Sequence, residues 1–518
     1  MTPQGELDAP SNPGRMEVRM WVGTAFLAGA VLMALEMVTF RLYAPYFGYS
    51  IYVWGSMISV VMAAMTCGYL CGGQIADRRE DDAPLYWAIL FSACYQLLML
   101  FLSPSLLVRL GKMNEFAGTT LATLVIFFLP VMGLSATGPY VIRLMARTGQ
   151  IGSAAGMVYG LSTVGSIGGI LMTTYYLVPE FGTQFTLRAA CAATFAIALS
   201  GIRGRQRMQI VAAPAAIFCA GWAMVPAPDW RPVSAIPANA QTVWLSESIY
   251  NLVRVMRYNN WTMMLFNDGR TAQTIRYQDR EWSYRSYHDM FAVGPLLSGS
   301  GKLLVLGMGA GGSIAATRAT APDIQIDAVE IDPKVVQAGE RFFGLKPDSR
   351  LQVHLGDGRR WLAHSSGKYD LIHVDIYQGG PYVPFYMTTV EFFRHARAHL
   401  SPGGVVMNNV FDPSQSQQVL LSTYATMGKV FPTVVILSNK AGSHLLVGFR
   451  DATTNTAVRE RLLAAVDQTP AGKFAARAAA MLHELNPPSE TQVFTDDYAP
   501  IDGMIREMMR EYYAGQGT

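Results

Sequence analysis

Charge is scarce in this chain. Asp, Glu, Lys and Arg make up 15% of its 518 residues, against roughly a quarter in an ordinary soluble protein. The net charge of +3 gives no argument for a nucleic-acid partner. Cysteine is also sparse, and Cys67, Cys71, Cys94, Cys191 and Cys219 all precede residue 220. The later part therefore holds no disulfide, thiolate nucleophile or cysteine-ligated zinc. Metal-ligand spacing is missing throughout, so no metal is expected. A cleavable signal peptide is not evident, because the first apolar run is too long and lacks a small-residue cleavage site. Apolar surface, by contrast, is abundant: 51% of residues are hydrophobic, which excludes a disordered chain.

The apolar residues are unevenly placed. After an N-terminal tail (1–19), residues 20–228 read as consecutive stretches, each long enough at about 20 residues to cross a bilayer. Seven spans are expected, at 20–43, 51–76, 84–108, 117–145, 154–178, 184–201 and 209–227. Small residues such as Gly160, Gly165, Gly168 and Gly169 permit close helix approach in lipid. The prolines Pro226, Pro228 and Pro232 lead into a linker at 229–240.

Beyond the linker the pattern changes. Residues 241–298 read as a small β-domain, with strands at Tyr250–Met256 and Met263–Asn267 and a turn at Asn267-Asp268-Gly269. Residues 299–518 alternate strands with helical stretches, which predicts a parallel sheet with crossover helices. Leu303–Leu306, Ile324–Glu330, Leu351–Leu355, Leu371–Asp375 and Val405–Asn408 are the expected strands. The fold class is thus a multi-pass α-helical membrane bundle, then a small β-domain and a Rossmann-like α/β domain.

Four of the expected strand ends carry suitable groups in order. Gly307-Met-Gly309-Ala-Gly311-Gly follows the first, where glycines allow backbone to approach a ligand beside a helix N-terminus. Glu330 and Asp332 follow the second, placed to accept from ribose hydroxyls. Gly356-Asp357-Gly358 follows the third, where a carboxylate can meet an adenine amino group. Asp375 ends the fourth. Ligands of open α/β sheets lie beyond these carboxyl ends, so a nucleoside is expected there.

These motifs resemble the spermidine synthase (polyamine aminopropyltransferase) family. The resemblance extends to Ser248-Ile-Tyr250-Asn251, Asp268-Gly269-Arg270, Gln273 and Tyr287-His288-Asp289-Met290. The chain as a whole resembles membrane-fused spermidine synthase-like proteins through Ala44–Gly48, Gly72–Arg78, Pro384–Thr389 and Thr495–Pro500.

What the resemblance implies is a small-molecule transferase. S-adenosylmethionine or its decarboxylated form is the substrate-cofactor, an amine or polyamine attacks the carbon next to the sulfonium, and methylthioadenosine leaves. Asp375 is the implied base or orienter, with Tyr377 beside it. The backbone of Gly307, Gly309 and Gly311 approaches the nucleoside, Glu330 holds the ribose and Asp357 the adenine. Gln273, Tyr287, His288, Gln378, Asp496 and Asp497 would line the substrate pocket. A lipid bilayer and a homodimer are further implied partners.

The departures are informative. Ala310 and Gln378 stand where soluble spermidine synthases carry aspartates, and His288 where they carry glutamine. Removing the aspartate at 310 removes repulsion toward the α-carboxylate of intact S-adenosylmethionine. Intramolecular cyclisation (a lyase reaction), methyl transfer, and a non-catalytic transporter or sensor are the alternative functions. The expected location is the cell (inner) membrane with the soluble domain cytoplasmic, where the donor is made. Arg and Lys at the connections oppose this: with seven spans the positive-inside rule places the last domain outside.

Overall fold

The computed structural model describes residues 14–47, 50–79, 81–111, 113, 115–146, 151–202, 205–224, 239–267, 272–279, 287–299, 301–438, 442–466 and 472–516. The chain divides into two compact units, Met1–Val233 and Ser234–Thr518. Most of the expected linker (229–240), and the Asp268-Gly269-Arg270 motif, lie outside the described residues.

The first unit is helical: α1 (Arg15–Phe47), α2 (Ile51–Arg78), α3 (Ala83–Leu110), α4 (Glu115–Ile126), α5 (Phe128–Ser135), α6 (Thr137–Met145), α7 (Ile151–Met172), α8 (Val178–Gly201) and α9 (Arg205–Met224). Ser50 caps α2, its hydroxyl accepting from the Val53 amide at 3.4 Å. Glycine permits the closest crossing. A Cβ on Gly165 or Gly169 of α7 would collide with the Phe26 or Ala30 carbonyl of α1.

By length and composition four helical runs among the described residues are apolar enough to cross a membrane, or five if one bent pair counts as a single span. This is fewer than the seven expected, for three reasons. The stretch expected at 117–145 bends by 52° between Ile126 and Phe128. Those at 154–178 and 184–201 make up one 51-residue run in which Gly182 (φ 84°, ψ 169°) separates two helices, a length sufficient for two crossings. The last falls on α9, whose apolar part, Pro214–Met224, is too short, while 225–227 lie outside the described residues.

The second unit opens with an antiparallel meander, β1 (Gln241–Glu247), β2 (Leu252–Tyr258), β3 (Trp261–Phe266) and β4 (Ala272–Tyr277). An α/β layer follows: α10 (Gly294–Ser298), β5 (Lys302–Leu306), α11 (Gly312–Thr320), β6 (Gln325–Glu330), α12 (Pro333–Phe342), β7 (Leu351–Leu355), α13 (Gly358–His364), β8 (Tyr369–Val374), α14 (Val390–Ala398), β9 (Leu400–Phe411), α15 (Gln418–Gly428), β10 (Thr433–Ser438), β11 (Ser443–Phe449), α16 (Asn455–Ala464), α17 (Gly472–Met481), β12 (Leu482–His483) and α18 (Ile501–Gln516).

The large sheet runs β12-β10-β11-β9-β8-β5-β6-β7. Strands β7, β6, β5, β8 and β9 are parallel, while β11, β10 and β12 are antiparallel additions. Leu303 and Val305 of β5 enter one apolar layer with Ile326, Leu371 and Met407. Leu304 and Leu306 enter the opposite layer with Val329, Ile372 and Val406. Burying each such side chain contributes about 1.5–3 kcal/mol, which fixes β5 firmly in the sheet. It pairs with β6 on one side and β8 on the other. The order therefore reverses at β5/β8, the crevice where such sheets bind ligands.

Candidate active site

Three loops converge at this crevice. The turn after β5 is forced by glycine: Gly307 has φ 77°, and a Cβ there would strike the Asp375 carbonyl at the end of β8. Gly311 (φ 91°) opens α11 in a left-handed conformation. Gly307 brings the start of the β5 loop against the β8 terminus, while a Cβ at Gly311 would meet Leu345.

Glu330, at the end of β6, is buried and grips this loop. Its Oε2 accepts from the Gly309 amide at 3.2 Å, and its Oε1 from the Ile331 and Asp332 amides at 2.9 and 3.1 Å. A carboxylate offers about four acceptor directions, so one on Oε2 is left for a hydroxyl. Burial pushes the Glu330 carboxyl up to about 7, against the opposing pull of the backbone amides. Asp357 caps α13 at Gly358, accepting from the Arg360 amide at 2.8 Å and from the Tyr386 hydroxyl at 3.0 Å.

Asp375 lies across the loop with its side chain about 10% exposed. Its Oδ1 accepts from Asn409 Nδ2 at 2.9 Å and its Oδ2 from the Tyr287 hydroxyl at 3.1 Å. Burial raises its carboxyl to about 6, while the Asn409 and Tyr287 hydrogen bonds oppose the shift. Such a group can both accept a proton near neutrality and hold a fixed orientation. The ring of His288 stacks on Tyr287 at 4.0 Å, and the Gln273 backbone hydrogen-bonds it. Burial pushes His288 down to about 4, so at pH 7 it is neutral and gives Asp375 no counter-charge. The adjacent Thr274 hydroxyl accepts from the Ala310 amide at 3.2 Å.

Other expected residues are placed elsewhere. Asp332 is completely buried and turned toward the meander, accepting from Ser248 Oγ (2.7 Å), Asn251 Nδ2 (3.1 Å) and the Lys334 amide (2.9 Å). It fastens the β1–β2 turn to the start of α12. The Tyr377 hydroxyl accepts from the Phe411 amide at 2.9 Å and donates to the Asn409 carbonyl at 3.3 Å, tying the β8 loop to β9. Gln378 is exposed on a turn closed by its amide and the Tyr382 carbonyl at 2.8 Å. Asp496 is clasped by Arg359 (Nη1 at 2.8 Å) and the Thr389 hydroxyl (2.7 Å), and Asp497 points outward. Ala310 packs with Val253, Val255, Met264 and Phe266 in an apolar cluster beneath the meander.

Asn409, Tyr386 and Arg359 were not singled out from sequence. Asn408-Asn409 carried a usable signal, since two buried amides in an otherwise apolar strand require partners. Tyr386 lies in the Pro384–Thr389 motif without a role assigned to it, and Arg359 had no signal, because only the tertiary fold brings them to Asp357 and Asp496.

With this geometry in place, residues 285–439 match the family described as the spermine/spermidine synthase domain. The second unit carries a spermidine synthase domain. A probable polyamine aminopropyl transferase of Bifidobacterium longum is 35% identical over 188 residues, 36% of this chain and 41% of the relative. The chain thus spans about two fifths of that relative's length. A polyamine aminopropyltransferase of Vibrio vulnificus is 27% identical over 265 residues, 49% of this chain and 88% of the relative. The crystal structure of a probable spermidine synthase from Corynebacterium glutamicum is 19% identical, with a TM-score of 0.40, covering 49% of this chain and 97% of that one.

The synthase domain makes a direct prediction about Tyr287. Its hydroxyl lowers the Asp375 carboxyl, so Tyr287→Phe raises it further. If Asp375 is the base, the acid limb of kcat/KM against pH lies near 6 in the parent and moves to higher pH in the variant. An unmoved limb in a folded variant refutes the coupling.

Proposed function

We propose that the synthase domain is a membrane-bound transferase of the polyamine aminopropyltransferase type, acting on an adenosyl sulfonium. S-adenosylmethionine or its decarboxylated form lies along the glycine loop, with Glu330 Oε2 toward the ribose and Asp357 toward the base. A neutral amine attacks the carbon next to the sulfonium, forming a C–N bond as the C–S bond breaks. The sulfur keeps the bonding electron pair and leaves as methylthioadenosine without an acid. Asp375 takes the surplus proton from the new ammonium. The observation that carries this reading is the Asp375 carboxylate, buried at the β5/β8 crevice and fixed from both sides by Asn409 and Tyr287.

Ala310 bears on the donor. An uncharged side chain packed among Met264 and Phe266 places no carboxylate against the donor's amino-acid end, which supports acceptance of intact S-adenosylmethionine. The apolar helices of the first unit support a location in the cell membrane, with the synthase domain on the cytoplasmic side that supplies the donor.

The test is mass spectrometry of products from full-length protein given each donor, with and without an amine. Methylthioadenosine is expected, and S-adenosylhomocysteine would instead establish methyl transfer. In parallel calorimetry, intact S-adenosylmethionine binds at least as tightly as the decarboxylated form. Tight binding of the decarboxylated donor alone would refute the reading of Ala310.

A further inference from the structure

Two motifs of the sequence, Pro384–Thr389 and Thr495–Pro500, take no part in the reaction above, yet they meet beside Asp357. The single turn Phe385–Met387 carries Tyr386, whose hydroxyl donates to Asp357 Oδ2 at 3.0 Å. Behind it, Arg359 Nη1 donates to the Tyr386 carbonyl at 2.6 Å. The same guanidinium grips both oxygens of Asp496, at 2.8 and 2.5 Å. We infer that Tyr386, held through Arg359 and Asp496, is a positioning residue that makes the nucleoside site select a 6-aminopurine over a 6-oxopurine. The inference rests on the donor placement proposed above.

The first observation is where the hydrogens point. Asp357 has one donor on each oxygen, the Arg360 amide on Oδ1 at 2.8 Å and the Tyr386 hydroxyl on Oδ2. A carboxylate oxygen accepts about two hydrogen bonds, so each keeps a lone pair and neither has a hydrogen to give. The hydroxyl hydrogen of Tyr386 is spent on Asp357. Burial, with the charge of Asp357 adding to it, pushes the Tyr386 phenol up to about 12, so that hydrogen stays in place at neutral pH. A base that meets these two side chains finds acceptors alone. An amino group at purine position 6 donates into them. An oxo group there sets lone pairs against lone pairs and against the carboxylate charge. A site built to bond an N–H rejects the ligand that lacks it.

The second observation is that the tyrosine is gripped from behind. Arg359 lies 27 residues before Tyr386 and 137 before Asp496, so the restraint is tertiary. Asp496 is itself fixed twice more: its Oδ1 accepts from the Thr389 hydroxyl at 2.7 Å, and its amide donates to Glu391 Oε2 at 3.0 Å. A loose turn would let Tyr386 swing off Asp357 and offer its hydrogen to an oxo group. The clamp removes that freedom, and with it the tolerance.

The experiment is calorimetry on the full-length protein in detergent micelles. It compares methylthioadenosine with methylthioinosine, which carry an amino and an oxo group at position 6. The parent is expected to bind methylthioadenosine at least about thirtyfold more tightly. Tyr386→Phe keeps the ring but frees Asp357 to turn from the base, and is expected to lower that ratio at least about fivefold. Asp496→Asn keeps its size and bonds to Arg359 rather than Asp357, yet is expected to lower the ratio at least about threefold. In the Tyr386→Phe background Asp496→Asn changes the ratio by less than about twofold, because its path to Asp357 is already cut. A merely structural defect weakens both nucleosides alike and leaves the ratio unmoved. A parent without preference, single variants within about twofold of the parental ratio, or independent effects in the double variant overturn the inference. A parent that binds neither nucleoside overturns the donor placement, and the inference with it.

Discussion

Asp375→Asn lowers the rate of methylthioadenosine release by about 10²- to 10⁴-fold, the usual worth of a positioned general base. The side chain keeps its shape, so donor affinity measured by calorimetry stays within about threefold of the parent. The pH profile separates loss of a base from mere distortion. In the parent the rate rises as pH passes about 6, where the buried carboxyl loses its proton. In the variant that limb vanishes and the rate follows the ionisation of the free amine, because only solvent can take the proton. A variant retaining more than about a tenth of parental turnover removes Asp375 from the proposed mechanism.

Asp332→Ala has its largest effect on stability. The substitution removes the acceptor of the buried Asn251 amide and of the Lys334 N–H, while the Ser248 hydroxyl still reaches the Asn251 carbonyl at 3.3 Å. The buried Asn251 donor left unpaired costs about 1–3 kcal/mol, and loss of the α12 cap adds about 1 kcal/mol. A total of about 3 kcal/mol is expected, roughly a 6–12 °C fall in the midpoint of the synthase domain in a thermal scan. Below that transition the donor dissociation constant changes by less than about threefold. A tenfold weakening of donor binding with an unchanged midpoint would return Asp332 to the nucleoside site.

Asp332 also shows how far the sequence carries. Its position after a strand, two residues beyond Glu330, fits either a ribose ligand or a helix cap. The choice depends on Ser248 and Asn251, more than 80 residues earlier in the chain. The central parallel strands were legible because they are continuous apolar runs ended by Gly or Asp. β5 and β7 fall where Leu303–Leu306 and Leu351–Leu355 led one to expect, within a residue. β9 was read too short, since Ser401-Pro402-Gly403-Gly404 looks like a turn yet the strand runs from Leu400 to Phe411. Strands β1, β4, β10, β11 and β12 were not read at all. β1, β4 and β12 lie at sheet edges, where half-buried positions or short length blur the apolar signal, whereas β10 and β11 are buried apolar strands whose signal was present and unread.

Within the site, the glycine loop, Glu330, Asp357 and Asp375 were readable because each follows a strand with a recognisable chemistry. Tyr377 and Asp496 share motif positions with such residues, but here the backbone of β9 and the Arg359 guanidinium occupy their polar atoms. Side-chain direction at a loop is set by the partners the fold supplies, which spacing along the chain does not encode.

The clasp between Arg359 and Asp496 has a temporal consequence. It closes a loop of 137 residues, while Asp357, two positions before the arginine, caps the same helix. During synthesis, residue 496 leaves the ribosome well after the helix that bears Asp357 and long after the first unit. The helix that bears Asp357 is therefore fastened only once residue 496 has emerged, when the helices of the first unit have long been made. The contact proposed for Asp357 with the donor would thus be fixed late, on a chain whose apolar helices have already emerged.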